Sequence, residues 1–173
     1  MNYYNYFDPY TQVFSTAMRP TQSQPATYDV FIYPENFENA LALIRDAVSG
    51  ENEDREFYTY LLEHAPTMEE QEIITGIRDD EIKHNNLFHQ IYYELTGEMV
   101  PQLENEQFTP PSSYCDGLKK ALLGEQNAVK KYRQILYAMQ SSMHFNMLTE
   151  IITDEIRHGS LYNYLYARNG CNV

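Results

Sequence analysis

Apolar residues return every three or four positions over most of the chain. From about Pro34 to His64 they are Leu41, Ile44, Ala47, Val48, Tyr58, Leu61 and Leu62, a spacing that predicts one long amphipathic helix. Pro66-Thr67 breaks it, and Thr67 with Glu70 reads as a capping box. A second helix then runs to about Leu95 through Ile74, Ile77, Leu87 and Ile91, and Gly97 closes it. The segment GEMVPQLENEQFTPPSSYCDG is polar and rich in proline, so it predicts a long connection. A third helix is expected over about 115–139 (Leu118, Ala121, Leu122, Ile135) and a fourth over about 143–168 (Leu148, Ile151, Leu161, Leu165). Met139, Met143 and Met147 read as core fillers near the turn between these two. No strand pattern competes, so residues 35–170 predict an all-α domain of four helices.

Residues 1–34 differ. Tyr3, Tyr4, Tyr6, Tyr10, Tyr28 and Tyr33 lie among Gln, Thr, Asn and Pro with almost no charge and no helical period. The plain expectation is an extended arm lying on the domain or on a partner subunit; the sharper one is an adhesive tail for assembly.

Composition narrows the function classes. The 173 residues suit one domain, and the net charge of −13 argues against nucleic acid and against an anionic membrane surface, both of which need a basic patch. No apolar run approaches the roughly 20 residues of a membrane span. The N-terminus lacks a basic segment followed by an apolar one, so no secretory signal is expected. Cys115 and Cys171 form no CxxC pair; a disulfide scaffold, a four-cysteine metal site and a thioredoxin-type motif are disfavoured. Together these point to the cytoplasm.

The chain also repeats itself. DDEIKH (Asp79–His84) returns as TDEIRH (Thr153–His158), and a shift of 74 residues aligns the two halves without a gap. Matches include Ala47/Ala121, Gly50/Gly124, Glu51/Glu125, Tyr58/Tyr132, Glu81/Glu155, His84/His158 and Tyr92/Tyr166. Two copies make a duplicated helix hairpin, not a solenoid. Glu51 precedes the Pro66 turn by 15 residues and Glu81 follows Thr67 by 14, so both sit about 22 Å from the turn at about 1.5 Å per residue. Glu125 and Glu155 do the same around Gln140-Ser141, and four glutamates can therefore meet at one height. Inward faces run 44, 47/48, 51, 54, 58, 61 in the first helix and 74, 77, 81, 84, 88, 91 in the second, with their counterparts 74 residues on. Each glutamate and each histidine interrupts a largely apolar stripe. A charged stretch is ordinarily a solvated helix face, but carboxylates on a core face are costly unless paired or bound to metal.

Two helices thus offer a lone Glu and two offer Glu-x-x-His, the ligand pattern of di-iron and di-manganese carboxylate bundles. On these residues the chain resembles the ferritin-like superfamily, and within it the rubrerythrin-type proteins, over about residues 36–168. The resemblance implies a ferritin-like four-helix bundle of two repeated hairpins joined by a crossover along its length. It also implies that Glu51, Glu81, His84, Glu125, Glu155 and His158 hold two iron ions, with two manganese ions as the alternative that O/N ligands equally accept. Asp80 and Asp154, four residues before each histidine, are expected either to hold the imidazoles' outer N–H groups across the bundle or to be surface aspartates. Tyr58 and Tyr132 follow the lone glutamates by two turns, as hydrogen-bond donors to the ligand carboxylates or as plain aromatic core. His64, His89 and His144 lack repeat partners and read as surface or capping residues.

Two departures from the rubrerythrin pattern stand out. Its further glutamate one turn along the third helix is Ala128 here, and the equivalent place in the first helix is Asp54, either a seventh carboxylate or an ion pair at the rim. The four-cysteine rubredoxin domain of full-length rubrerythrins has no counterpart, so electrons must come from a separate donor. The resemblance implies a non-haem di-iron oxidoreductase acting on hydrogen peroxide or dioxygen, in a homodimer or larger homo-oligomer. The alternatives are a manganese catalase, a ferroxidase or iron-storage assembly, a metal-binding assembly component, or a purely structural bundle.

Overall fold

The computed structural model describes residues 30–49, 51–101 and 108–171; the side chains of Glu51 and Asn52 lie outside that description. The expectation for the tyrosine-rich arm therefore falls mostly outside the described residues. Residues 30–36 form turns packed on the domain: Phe31 meets Tyr137 at 4.7 Å between ring centroids, and Asn36 Nδ2 donates to the Gln134 carbonyl at 2.6 Å.

The described residues form five helices and no strand: α1 (Phe37–Val48), α2 (Glu51–His64), α3 (Met68–Thr96), α4 (Tyr114–Tyr137) and α5 (Ser142–Arg168). The expected first helix is thus in two pieces, α1 and α2. Ser49 turns both its amide (3.5 Å) and its hydroxyl (2.9 Å) back onto the Asp46 carbonyl, drawing off a group that would continue the helix. Glycine, a poor helix former, follows it in sequence. In the second copy the matching pair is Leu123-Gly124, where leucine offers no such competition and α4 runs through.

The other boundaries follow local chemistry. Thr67 accepts from the Glu70 amide and Ser141 from the Met143 amide, so α3 and α5 start 74 residues apart, as the repeat requires. Gly97, at φ 75°, ends α3 in the left-handed region that glycine enters without a steric cost. Only the N-cap half of the expected capping box carries weight for α3. The Glu70 carboxylate turns into the bundle, where Tyr114 Oη and Asn169 Nδ2 both donate to Oε2 at 2.9 Å.

α3 pairs with α2 and α5 with α4 as hairpins, and α1 packs on α3 and α4. The core falls into two apolar clusters. One holds Ile44, Phe88, Ile91, Ile135, Leu148 and Ile151; the other holds Leu61, Ile74, Ile77, Leu118, Tyr162 and Leu165. Each of these buried side chains contributes about 1.5–3 kcal/mol relative to exposure. Between the clusters, at the height of Glu81 and Glu155, lies a layer of buried charge.

Three expectations are corrected. Cys115, in the first turn of α4, and Cys171, beyond the end of α5, are joined as a disulfide with Cα atoms 5.5 Å apart. No local spacing signals this pairing, because 56 residues separate the two, and it weakens the part of the cytoplasmic expectation that rested on the absence of a disulfide framework. His144 is no surface residue: it is buried, with Nε2 2.6 Å from Glu94 Oε2. Met143, taken as core, is 49% exposed, while Met139 and Met147 pack on the core. No described helix is long and apolar enough to cross a membrane.

Candidate metal centre

α3 and α5 bring their Glu-x-x-His pairs together in a crossed arrangement. His84 Nδ1 lies 3.1 Å from Glu155 Oε1 on the opposite hairpin, and His158 Nδ1 lies 3.0 Å from Glu81 Oε1. His84 Nδ1 is also 3.6 Å from Glu81 Oε2, and His158 Nδ1 is 3.9 Å from Glu125 Oε2. The two imidazoles stack with centroids 5.9 Å apart. Glu81, Glu125, Glu155 and His158 each offer a ligand atom, all within 4.8 Å of one another. Helical spacing i, i+3 produces this, because it sets Glu and His on one face one turn apart. Glu51 opens α2, but its side chain is outside the described residues.

The outer nitrogens are held from behind. His84 Nε2 lies 3.3 Å from Asp154 Oδ2 and His158 Nε2 lies 3.2 Å from Asp80 Oδ2, each aspartate belonging to the other hairpin. A carboxylate only accepts, so each Nε2 carries a proton and each Nδ1 points to the centre. That orientation suits metal ligation, which needs an unprotonated nitrogen and an outer partner that fixes the ring.

The central atoms test the fit to a metal pair. His84 Nδ1, His158 Nδ1, Glu81 Oε1 and Glu155 Oε1 are buried and make no aligned hydrogen bond among the described residues, despite the 3.0–3.1 Å approaches. Buried polar atoms in proteins are ordinarily satisfied. Four convergent carboxylate and imidazole atoms lacking such bonds fit a divalent cation pair, and the O/N donor set is the one iron and manganese take.

Electrostatics agree. Burial, and then the Glu155 carboxylate beside it, push Glu125 up to about 12. Burial opposes charge on His84, but the Glu155 and Glu81 carboxylates outweigh it and raise the ring to about 10. Burial likewise works against ionised Glu81, yet the two imidazoles hold it below its usual range. Asp54 borders the cavity described below, open to solvent through it but flanked by protein; burial and then Glu81 raise it to about 6. Tyr58 and Tyr132 are both buried, their phenols pushed up first by burial and then by neighbouring groups, among them the site carboxylates.

Sequence reasoning passed over two residues. Tyr162, one turn beyond His158, is fully buried beside Tyr58 and Glu125, and its hydroxyl makes no aligned hydrogen bond among the described residues. The available signal was a phenol where the repeat has Phe88. Arg157, the counterpart of Lys83, places its guanidinium between Asp80 and Asp154. A second group, of Asp80, Asp154 and His158, also has metal-like spacing, but that guanidinium already fills its role of counter-ion. A cavity of about 370 Å³ opens onto Glu81 and His84, walled by Ala47, Asp54, Phe88 and Tyr132.

An all-α fold of repeated hairpins around buried glutamates and histidines defines a ferritin-like carboxylate bundle. Residues 42–166 match the rubrerythrin family, and the chain belongs to that family. It is also similar to the uncharacterized protein YhjR of Bacillus subtilis (strain 168), at 28% identity over 140 residues, covering 79% of this chain and 95% of that one. No solved structure matches it significantly. Family and cluster together point to a metal site built of carboxylates and imidazoles.

Proposed function

We propose that this protein is a non-haem di-iron oxidoreductase that reduces hydrogen peroxide or dioxygen, with Glu51, Glu81, His84, Glu125, Glu155 and His158 as its metal ligands. The observation that carries this reading is the crossed pair of Glu-x-x-His sets, whose inward Nδ1 and Oε1 atoms converge without hydrogen bonds of their own. Once bound there, two adjacent redox-active ions would supply the electron pair that O–O cleavage consumes. The chain's own part is to orient and to shield. Asp80 and Asp154 hold the imidazoles by their outer nitrogens. The apolar clusters above and below wall Glu125 and Glu155 off from solvent. The cavity beside Glu81 and His84 gives a small oxidant its way in, with Tyr58 and Tyr132 as nearby phenols. Electrons come from a separate donor.

The test is reoxidation of the anaerobically reduced, iron-loaded protein by stoichiometric peroxide, followed by absorption. Absence of reoxidation refutes the peroxidase reading. Metal analysis after expression with both iron and manganese supplied decides between the ions. Peroxide disproportionation without a donor would make the protein a manganese catalase, and a cage-sized particle in light scattering would favour iron storage over the oxidoreductase.

A further inference from the structure

The two aspartates behind the histidines share one cation. Arg157 Nη2 donates to Asp80 Oδ2 at 2.5 Å and to Asp154 Oδ1 at 3.1 Å, and Arg157 Nε lies 3.4 Å from the same Asp154 oxygen. Asp80 in turn accepts from His158, and Asp154 from His84. A single guanidinium nitrogen therefore stands at the junction of two hydrogen-bonded chains, each ending on an imidazole of a different hairpin. The repeat does not require this. Lys83 occupies the equivalent place in α3 and is spent on Glu150, so neither aspartate receives a second cation from it. A planar fork holds two carboxylates at fixed angles, whereas an ammonium carries its three donors on a flexible stem that fixes no angle. Arg157 Nη2 also comes within 3.3 Å of His158 Nε2; both are donors, and the Asp80 oxygen that accepts from each reconciles them.

Resting on the metal reading above, we propose that Arg157 is a positioning residue for both metal ions, fixing the rings of His84 and His158 together through Asp154 and Asp80. The two halves of the centre are thereby tied through one side chain on the surface. Without it, two neighbouring carboxylates repel, swing toward solvent, and release both imidazoles. Loss of such an outer partner typically lowers metal affinity about 10–100-fold.

Anaerobic titration of the metal-free full chain with Co2+, followed by calorimetry and by the visible absorption of the bound ion, compares wild type with Arg157→Gln, Arg157→Lys and Lys83→Gln. The Arg157 side chain is 49% exposed, so these variants are expected to fold. For Arg157→Gln both binding steps weaken about 10–100-fold and the absorption band changes. Arg157→Lys recovers part of the loss, and Lys83→Gln behaves as wild type. Two steps of wild-type affinity and spectrum in Arg157→Gln overturn the proposal, as does weakening of one step alone. If wild type takes up no cobalt, the metal reading fails. The positioning of the rings is then judged on the metal-free protein by histidine 15N NMR. Altered Nε2–H signals for both His84 and His158 in Arg157→Gln uphold it, and unchanged signals overturn it.

Discussion

Loading the metal-free protein with a divalent ion at pH 7 should expel protons. In the metal-free bundle Glu125 holds its proton up to about pH 12, because it is buried against Glu155. His84 stays doubly protonated up to about pH 10, because Glu155 and Glu81 face it. Ligation needs an ionised carboxylate and a free imidazole nitrogen, so each gives up a proton: about two per protein molecule, counting these groups alone. Apparent affinity should then rise up to about 100-fold per pH unit near neutrality. The same shifts set the sign for the metal-free fold. Both pKa values lie above their unfolded values of 4.5 and 6.5, so the native state keeps protons that the unfolded chain releases. Stability is therefore lost as pH rises, from about 4.5 upward through Glu125 and between 6.5 and about 10 through His84. Calorimetric titration in two buffers of different ionisation enthalpy counts the protons. Glu125→Gln, which keeps a neutral group of the same shape, should bring the count to about one. Release of less than one proton by wild type, or an unchanged count in Glu125→Gln, would refute the reasoning.

Further predictions concern the scaffold. Cys115→Ser opens a loop of 56 residues and should cost about 4 kcal/mol in denaturant unfolding. Metal uptake should be unchanged, since Cys115 lies ten residues, about 15 Å of helix, from Glu125. Glu70→Ala removes the acceptor of Tyr114 and Asn169 and should destabilise by about 2–4 kcal/mol, seen as a lower denaturation midpoint at unchanged slope. Gly159 sits where α5 presses on α4: a Cβ there would meet Gln126 Nε2 at 2.6 Å and Glu125 Cβ at 3.6 Å. Because Gln126 can swing away, Gly159→Ala should shift stability by less than about 1 kcal/mol. Gly159→Leu should cost about 1–3 kcal/mol and, by displacing Glu125, weaken metal uptake in equilibrium dialysis.

Much of this was legible in the chain, for reasons that can be named. Thr67 and Ser141 start helices because their hydroxyls satisfy free amides locally, and Gly97 stops one because it enters positive φ freely. Such signals act within a few residues and survive any tertiary context. The Ser49 break was less visible, since the apolar period continues across it and only a side-chain hydrogen bond reveals the competition. Cys115 with Cys171, and His144 with Glu94, are pairings between distant segments that no periodicity encodes.

The sequence by itself determined the all-α class, the 74-residue duplication and the inward face that carries Glu81, His84, Glu125, Glu155 and His158, because helical period and register are local properties. Packing decided what those residues meet. Only the docking of α3 on α5 sets each Nδ1 against the other hairpin's glutamate and each Nε2 against the other hairpin's aspartate. It also places one arginine across both aspartates where its repeat-mate Lys83 reaches elsewhere. Distances between helices depend on side chains from both sides at once, and a one-dimensional pattern does not hold that information.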